Sequence, residues 1–225
     1  IALGGNAIHQ PGQKGTTEEQ LANIDTTAAQ VAKLARGGWR IVLTHGNGPQ
    51  AGALLIQQEE AQALVPGQSL AACGAMTQGQ IGWMIQNRLR FHLDREGLAV
   101  PVCSVVTQVL VSRDDPDFRD PSKPVGPFYT EEEAAGLAET RGWTVRKVKP
   151  TGPKAWRRVV PSPEPRGIVE ADIVSTLLAS GVLVVASGGG GIPVTMDNGS
   201  GLVGVNAVID KDKAGCMLAR AVGAD

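Results

Sequence analysis

Arg40-Ile41-Val42-Leu43-Thr44-His45-Gly46-Asn47-Gly48-Pro49-Gln50 decides the fold class. Ile41, Val42 and Leu43 follow one another without polar alternation, which is the pattern of a short strand buried on both faces. Gly46 and Gly48 then turn the chain, and a helical pattern resumes over residues 50–63. Strand, glycine turn, helix is the unit from which parallel sheets covered by helices are built. The unit recurs on either side. Ile1 to Leu3 runs into Gly4-Gly5-Asn6, and the apolar residues 183–186 run into Ser187-Gly188-Gly189-Gly190-Gly191.

Helices and strands fill the intervals. Thr16 and Thr17, with Glu19 and Gln20 behind them, give a capping-box start. Leu21, Ile24, Val31 and Leu34 follow at roughly helical spacing until Gly37-Gly38. Residues 71–96 predict a second helix with Ile81, Met84, Ile85, Leu89 and Leu93 on its buried face. Residues 100–106 predict a strand, and 109–111 a segment that pairs locally. Helices are expected again at 171–180 and 210–222. Between residues 112 and 165 the texture changes: most of the chain's 14 prolines lie there, among dense charges. Only a helix at 131–139 and a strand at 144–148 read as regular, and Trp156, Arg157 and Arg158 read as a solvated or packing segment. The expected organisation is a core of residues 1–111 and 166–225 interrupted by an inserted subdomain or lid at 112–165.

Composition narrows the function. The 225 residues are 42% hydrophobic and 19% charged with a net charge of −1. A basic excess, which nucleic-acid or membrane-surface binding requires, is missing, and no apolar run reaches membrane-spanning length. Cys73, Cys103 and Cys216 form no CxxC pair and no metal-ligand spacing, an odd, sparse set that suggests a reducing cytoplasm. With only His9, His45 and His92, no metal centre is expected. The chain opens on Ile1 without an initiator Met and closes on Asp225 as a helical pattern finishes, so both ends read as cut.

The chemistry is sought at the turns. Strands of a parallel sheet end on one edge, and ligands bind there. Glycine lets backbone N–H groups approach an anion, and the helix behind adds the positive end of its dipole. One such turn is no more than a tight bend, but three in register make a phosphate cradle. GxxxxGK[ST], GxGxxG and GxSxG motifs are absent. His45 either touches ligand or braces its turn by a hydrogen bond. Phosphoryl transfer needs positioning and cations on the oxygens where charge builds up. Lys123, in Asp120-Pro121-Ser122-Lys123-Pro124-Val125-Gly126-Pro127, is one candidate, although by itself it reads as a solvated loop lysine. Asp210-Lys211-Asp212 is the other. Asp210 reads as a helix cap, whereas Lys211 opposes the helix dipole unless carboxylates or an anionic ligand offset it. Trp39, Trp83, Trp143 and Trp156 are expected in the core or at subunit contacts.

Seven blocks then occur in a telling order: Leu3-Gly4-Gly5-Asn6-Ala7, His45-Gly46-Asn47-Gly48-Pro49-Gln50, Cys73-Gly74-Ala75-Met76-Thr77-Gln78-Gly79-Gln80-Ile81-Gly82, Lys123-Pro124-Val125-Gly126-Pro127-Phe128-Tyr129, Arg157-Arg158-Val159-Val160-Pro161-Ser162-Pro163, Ala186-Ser187-Gly188-Gly189-Gly190-Gly191-Ile192-Pro193-Val194 and Val208-Ile209-Asp210-Lys211-Asp212. Together, from Leu3 to Asp225, they resemble the carbamate kinases of the amino acid kinase superfamily. The resemblance implies a three-layer α/β/α sandwich with a mainly parallel central sheet and a protruding subdomain, in a cytoplasmic homodimer. It implies reversible phosphoryl transfer between ATP and carbamate, with ATP/ADP and Mg²⁺ as cofactors. Carbamate and carbamoyl phosphate are the small-molecule substrates, and the family's usual direction makes ATP, as in arginine breakdown. By the same resemblance Gly4, Gly5, Asn6, Gly46, Asn47 and Gly48 hold the phosphoryl group and carbamate, Lys123 and Lys211 neutralise the phosphoryl oxygens, and Asp212 orients the lysines, without a covalent phosphoenzyme. Ser187, Gly188, Gly189 and Asp210 complete the candidate substrate- and phosphate-binding set. Many superfamily members carry a lysine just before the first glycine turn. Ala2 stands here instead, which points away from the acylglutamate and aspartate kinases. Family members also continue past the position of Asp225, into a part holding much of the nucleotide site and another lysine, so a molecule ending at Asp225 is expected not to bind ATP normally. The competing reading is a relative with this fold that binds a phosphorylated metabolite without turning it over.

Overall fold

The computed structural model describes residues 1–197, 199 and 201–225. In chain order its first half comprises β1 (Ala2–Leu3), α1 (Thr17–Arg36), β2 (Val42–His45), α2 (Gly48–Ala61), α3 (Leu70–Arg95), β3 (Val102–Ser104) and β4 (Gln108–Leu110). Then come β5 (Lys123–Tyr129), α4 (Glu131–Arg141), β6 (Val145–Lys147) and β7 (Trp156–Val160). The last part holds β8 (Gly167–Ile168), α5 (Ala171–Ala179), β9 (Leu183–Val185), β10 (Ile192–Asp197), β11 (Gly201–Gly204) and α6 (Lys211–Ala221).

Strands β1, β2, β9 and β3 lie side by side in that order, and every pair is parallel. Alternation along β9 shows why helices cover both faces. Leu183 and Val185 join Leu3, Ile24, Val31, Leu43, Ile81 and Ile85 in a core under α1 and α3. Val184 points the other way, into a second core with Val174, Ala214 and Leu218 of α5 and α6. The result is an α/β/α sandwich. Two strands leave this sheet for another: β3 continues through residues 105–107 into β4, and β9 through residues 186–191 into β10. The second sheet has the order β11-β10-β4-β8, with β4 and β10 parallel and both edges antiparallel.

Local chemistry sets the helix starts. Thr16 and Glu19 close a full capping box on α1, and Thr130 and Glu133 do the same on α4. Ser69 caps α3 through the N–H of Ala72. Helix α3 also lies unusually close to β3, because a Cβ on Gly82 would come 2.1 Å from Ser104 Oγ.

Several expectations need correction. Segment 109–111 does not pair locally: β4 pairs with β10 and β8, far along the chain. Residues 112–165 hold more than a helix and one strand, since β5, β7 and β6 form an antiparallel three-stranded sheet. Of the two readings of Trp156, Arg157 and Arg158, packing is the one that holds: half-buried, they begin its central strand. The root of this sheet is apolar, with Val125 and Val160 packed on Leu55, Leu70 and Cys73 of α2 and α3. Helix α2 begins at Gly48 and ends at Ala61, earlier at both ends than its spacing predicts. Trp39 and Trp83 are 65% and 52% exposed, so neither is a core residue. The guanidinium groups of Arg141 and Arg158 lie 5.0 and 4.6 Å from the centroid of the Trp143 ring.

Candidate active site

Because β1, β2 and β9 run parallel, their glycine turns share one edge of the sheet. The N–H of Gly46 donates to Leu3 O at 3.0 Å, which ties the second turn to the end of β1. A Cβ on Gly46 would stand 3.5 Å from both Gly5 N and Lys211 Cδ, so two turns and the start of α6 meet there. They open on a cleft of about 840 Å³ whose walls include Gly5, Gly46, Asn47, Gly48, Gly189, Lys123, Asp210, Lys211 and Asp212. Gly4 and Asn6 flank Gly5 on the exposed side of the first turn. Ser187 and Gly188 lie behind the cleft wall, fully enclosed.

The charged groups form two adjacent pairs. Lys123, the first residue of β5, donates from Nζ to Asp210 Oδ2 at 3.1 Å. Asp210 is also the N-cap of α6, accepting from the N–H groups of Asp212 and Lys213 at 2.9 and 3.3 Å. Burial pushes the Asp210 carboxyl up, but the Lys123 ammonium and these N–H groups outweigh it and hold the pKa below the usual aspartate value. Lys211 Nζ donates to Asp212 Oδ1 at 2.5 Å. The expected role of Asp212 is therefore divided: Asp212 holds Lys211, and Asp210 holds Lys123. Both lysine side chains remain 37% exposed, so an anion entering the cleft can reach them. Arg157 is a cleft residue that sequence reasoning missed. It donates from Nε and Nη2 to Gly126 O at 3.1 and 2.6 Å and lies over the Phe128 ring. The only signal for it was membership of one of the seven quoted blocks.

Behind the turns lies a buried polar frame. Gln78 of α3 pairs with the backbone of Thr107 in both senses, accepting from its N–H at 2.8 Å and donating to its C=O at 3.1 Å. Thr107 Oγ1 accepts from the Ser187 N–H at 2.6 Å, and the Thr44 hydroxyl donates to Ser187 O at 2.9 Å. Ser187 is held left-handed at φ 54°, a conformation no other non-glycine residue adopts among the described residues. Its Oγ is buried without a hydrogen-bond partner among them. Glycine is obligatory next in the chain. A Cβ at Gly188 would come 2.4 Å from His45 Nε2, and one at Gly189, where φ is +65°, would come 2.2 Å from Asn47 Nδ2.

Known proteins are similar to this chain in sequence and in fold. The sequence profile of the amino acid kinase family matches residues 1–225. The carbamate kinase of Thermococcus kodakarensis is 54% identical, over all of this chain and 71% of its own length. That of Pyrococcus horikoshii is 50% identical over the same shares. The chain belongs to the amino acid kinase family, and within it to the carbamate kinases. Solved structures agree. An Aeropyrum pernix K1 protein superposes with a TM-score of 0.93 at 44% identity, covering all of this chain and 71% of that one. The carbamate kinase of Giardia lamblia bound to AMP-PNP gives 0.90 at 42% identity, over all of this chain and 70% of the other. In the present carbamate kinase the cleft receives Lys123 from β5, while Ala2 occupies β1 opposite Thr44.

Proposed function

We propose that the full-length protein moves a phosphoryl group reversibly between ATP and carbamate, and that it runs toward ATP from carbamoyl phosphate. The observation that carries the reading is the cleft in which three glycine turns face Lys123 and Lys211. In this reading the backbone N–H groups at Gly5, Asn47 and Gly48 hold the moving phosphoryl group and the carbamate, while the Gly46 N–H, bonded to Leu3 O, fixes the turn that presents them. The two ammonium groups lie where charge develops on the phosphoryl oxygens. Asp210 and Asp212 hold the lysines without covalent chemistry, since in-line phosphoryl transfer asks mainly for positioning and electrostatic stabilisation.

The cleft fits an anionic phosphoryl group: its donors are backbone N–H and ammonium groups. Among the described residues no three His, Cys, Asp or Glu side chains gather as a metal cage. Mg²⁺, carried by the nucleotide phosphates as at many kinase sites, would supply neutralisation of the phosphate charge in the cleft. We also assign residues 1–111 and 166–225 to the kinase core and 112–165 to the protruding subdomain, whose sheet β5-β7-β6 is distinct from the parallel one. No helix of the described residues is long and apolar enough to cross a membrane, and the proposed setting is cytoplasmic. Met76 and Trp83, a heptad apart and 43% and 52% exposed on α3, favour a homodimer.

The test is ATP formation from ADP, Mg²⁺ and carbamoyl phosphate, with the full-length protein and the 225-residue chain in parallel. ATP from the full-length protein is the expected outcome. Lys123→Ala and Lys211→Ala are each expected to lower kcat by roughly 10²- to 10³-fold, the scale of one preorganised electrostatic contact. An unchanged kcat in Lys211→Ala removes that lysine from the mechanism.

A further inference from the structure

The third of the seven blocks, Cys73 to Gly82, reaches the cleft wall at Gly74 alone, yet it contributes two buried polar side chains, Thr77 and Gln78. Gln78 is accounted for by its pairing with the Thr107 backbone. Thr77 is different, because its partner is a side chain that lines the cleft. The Thr77 hydroxyl donates its single hydrogen to Gly74 O, one helical turn back, at 2.7 Å. It can then only accept from Asn47. It does so from Asn47 Nδ2 at 2.8 Å. This donor logic selects one of the two ways in which the Asn47 amide can sit: NH₂ toward α3, never the carbonyl. The amide meanwhile lies against Gly189, where even a methyl group would collide with it at 2.2 Å. No other protein group among the described residues makes a hydrogen bond to the Asn47 side chain. Its orientation at the cleft wall therefore rests on one hydroxyl from α3 and on the missing side chain of Gly189.

We propose that Thr77 is a positioning residue for the reaction, acting through Asn47: its hydroxyl fixes the orientation in which Asn47 meets the carbamoyl phosphate. The proposal rests on the phosphoryl-transfer reading above and adds to it a residue that touches no substrate. Removing the hydroxyl leaves Gly74 O with its ordinary helical partner within α3. The loss therefore falls on Asn47, whose amide becomes free to turn over.

The experiment is a double-mutant cycle on the full-length protein, following ATP formation from ADP, Mg²⁺ and carbamoyl phosphate. Thr77→Val keeps the shape and removes the hydroxyl, and kcat/KM is expected to fall roughly tenfold, the scale of one hydrogen bond. Thr77→Ser restores the hydroxyl and is expected to return the value to within about twofold of the wild type. In an Asn47→Ala background, Thr77→Val is expected to change the rate by less than about twofold, because the partner it acts through is gone. Thermal melting accompanies each variant, and Thr77→Ala, which adds no bulk, carries the same comparison if valine disturbs the fold. Wild-type activity in Thr77→Val overturns the proposal, as does an equal loss in both backgrounds or a failure of serine to rescue. A folded wild-type protein that makes no ATP overturns the phosphoryl-transfer reading itself, and that result is visible before any Thr77 variant is made.

Discussion

His45 shows how a single side chain supports the cleft without entering it. It closes β2, is 2% exposed, and donates from Nδ1 to Gly46 O at 3.0 Å, while its other edge faces the Cα of Gly188. Burial pushes its pKa down to about 4, and the bond to Gly46 recovers only part of that. The imidazole is neutral at pH 7. As pH falls, the unfolded chain takes up a proton near pH 6.5, whereas the folded protein resists until about 4. Stability from this residue is thus complete above about pH 6.5 and is lost progressively down to about pH 4, by on the order of 3 kcal/mol. Thermal melts of the wild type and His45→Asn across that window are expected to show a steeper pH dependence in the wild type; parallel curves would mean that His45 contributes none of it. The bracing role of His45 was one of two readings left open by its place in the turn, and the hydrogen bond to Gly46 shows the brace. The demands on Gly188 and Gly189 were not legible in the same way. Their crowding comes from His45 and Asn47, more than 140 positions away in the chain, and only folding brings these residues together.

At the scale of elements, the helices were the most legible part because their signals are local: Thr16 with Glu19, apolar residues at helical spacing, and glycines just past the ends. Strand β5 was hidden by Pro124 and Pro127, which read as loop. It is tolerated as a strand because it lies on the edge of its sheet, where a missing N–H leaves no ladder bond broken, and because its register shifts between Val125 and Tyr129 around Gly126 at φ 71°. The same strand makes a mechanical link. Its first residue, Lys123, enters the cleft, and its last, Tyr129, donates to Glu59 Oε2 of α2 at 3.3 Å. Helix α2 in turn begins at Gly48 in the second turn. Burial and then the Glu59 charge push the Tyr129 hydroxyl up to about 12, so it stays protonated and able to donate throughout any ordinary assay. Tyr129→Phe removes this tie and keeps the ring. A loss of roughly two- to tenfold in kcat/KM is expected, with the melting temperature of the protein little changed. Kinetics identical to the wild type would show that the apolar root of Val125 and Val160 positions Lys123 unaided.

For the molecule as a whole, the class was legible because each strand–turn–helix unit carries its own signal, whereas the second sheet was not. Strand β11 begins and ends on glycine, and β10, the partner of β4, lies beyond the subdomain and β9 in the chain. The chain therefore folds as a parallel core with an antiparallel sheet attached through a small apolar root, and the two differ in burial. All three residues of β9 are buried, whereas Arg146 and Lys147 of β6 are exposed. Local opening should follow that difference, since segments with few buried contacts open at the lowest free energy. In hydrogen exchange on the full-length protein, amides of β2 and β9 are expected to exchange slowest and those of β6 and β7 markedly faster. Addition of ADP, Mg²⁺ and carbamoyl phosphate is expected to slow β5 and residues 46–48 selectively, because Lys123 and the second turn then share a ligand. Equal protection of β6 and β9 without ligand would mean that the two sheets open as one unit. In that case Lys123 would be fixed over the cleft at all times, and carbamoyl phosphate would find it already in place.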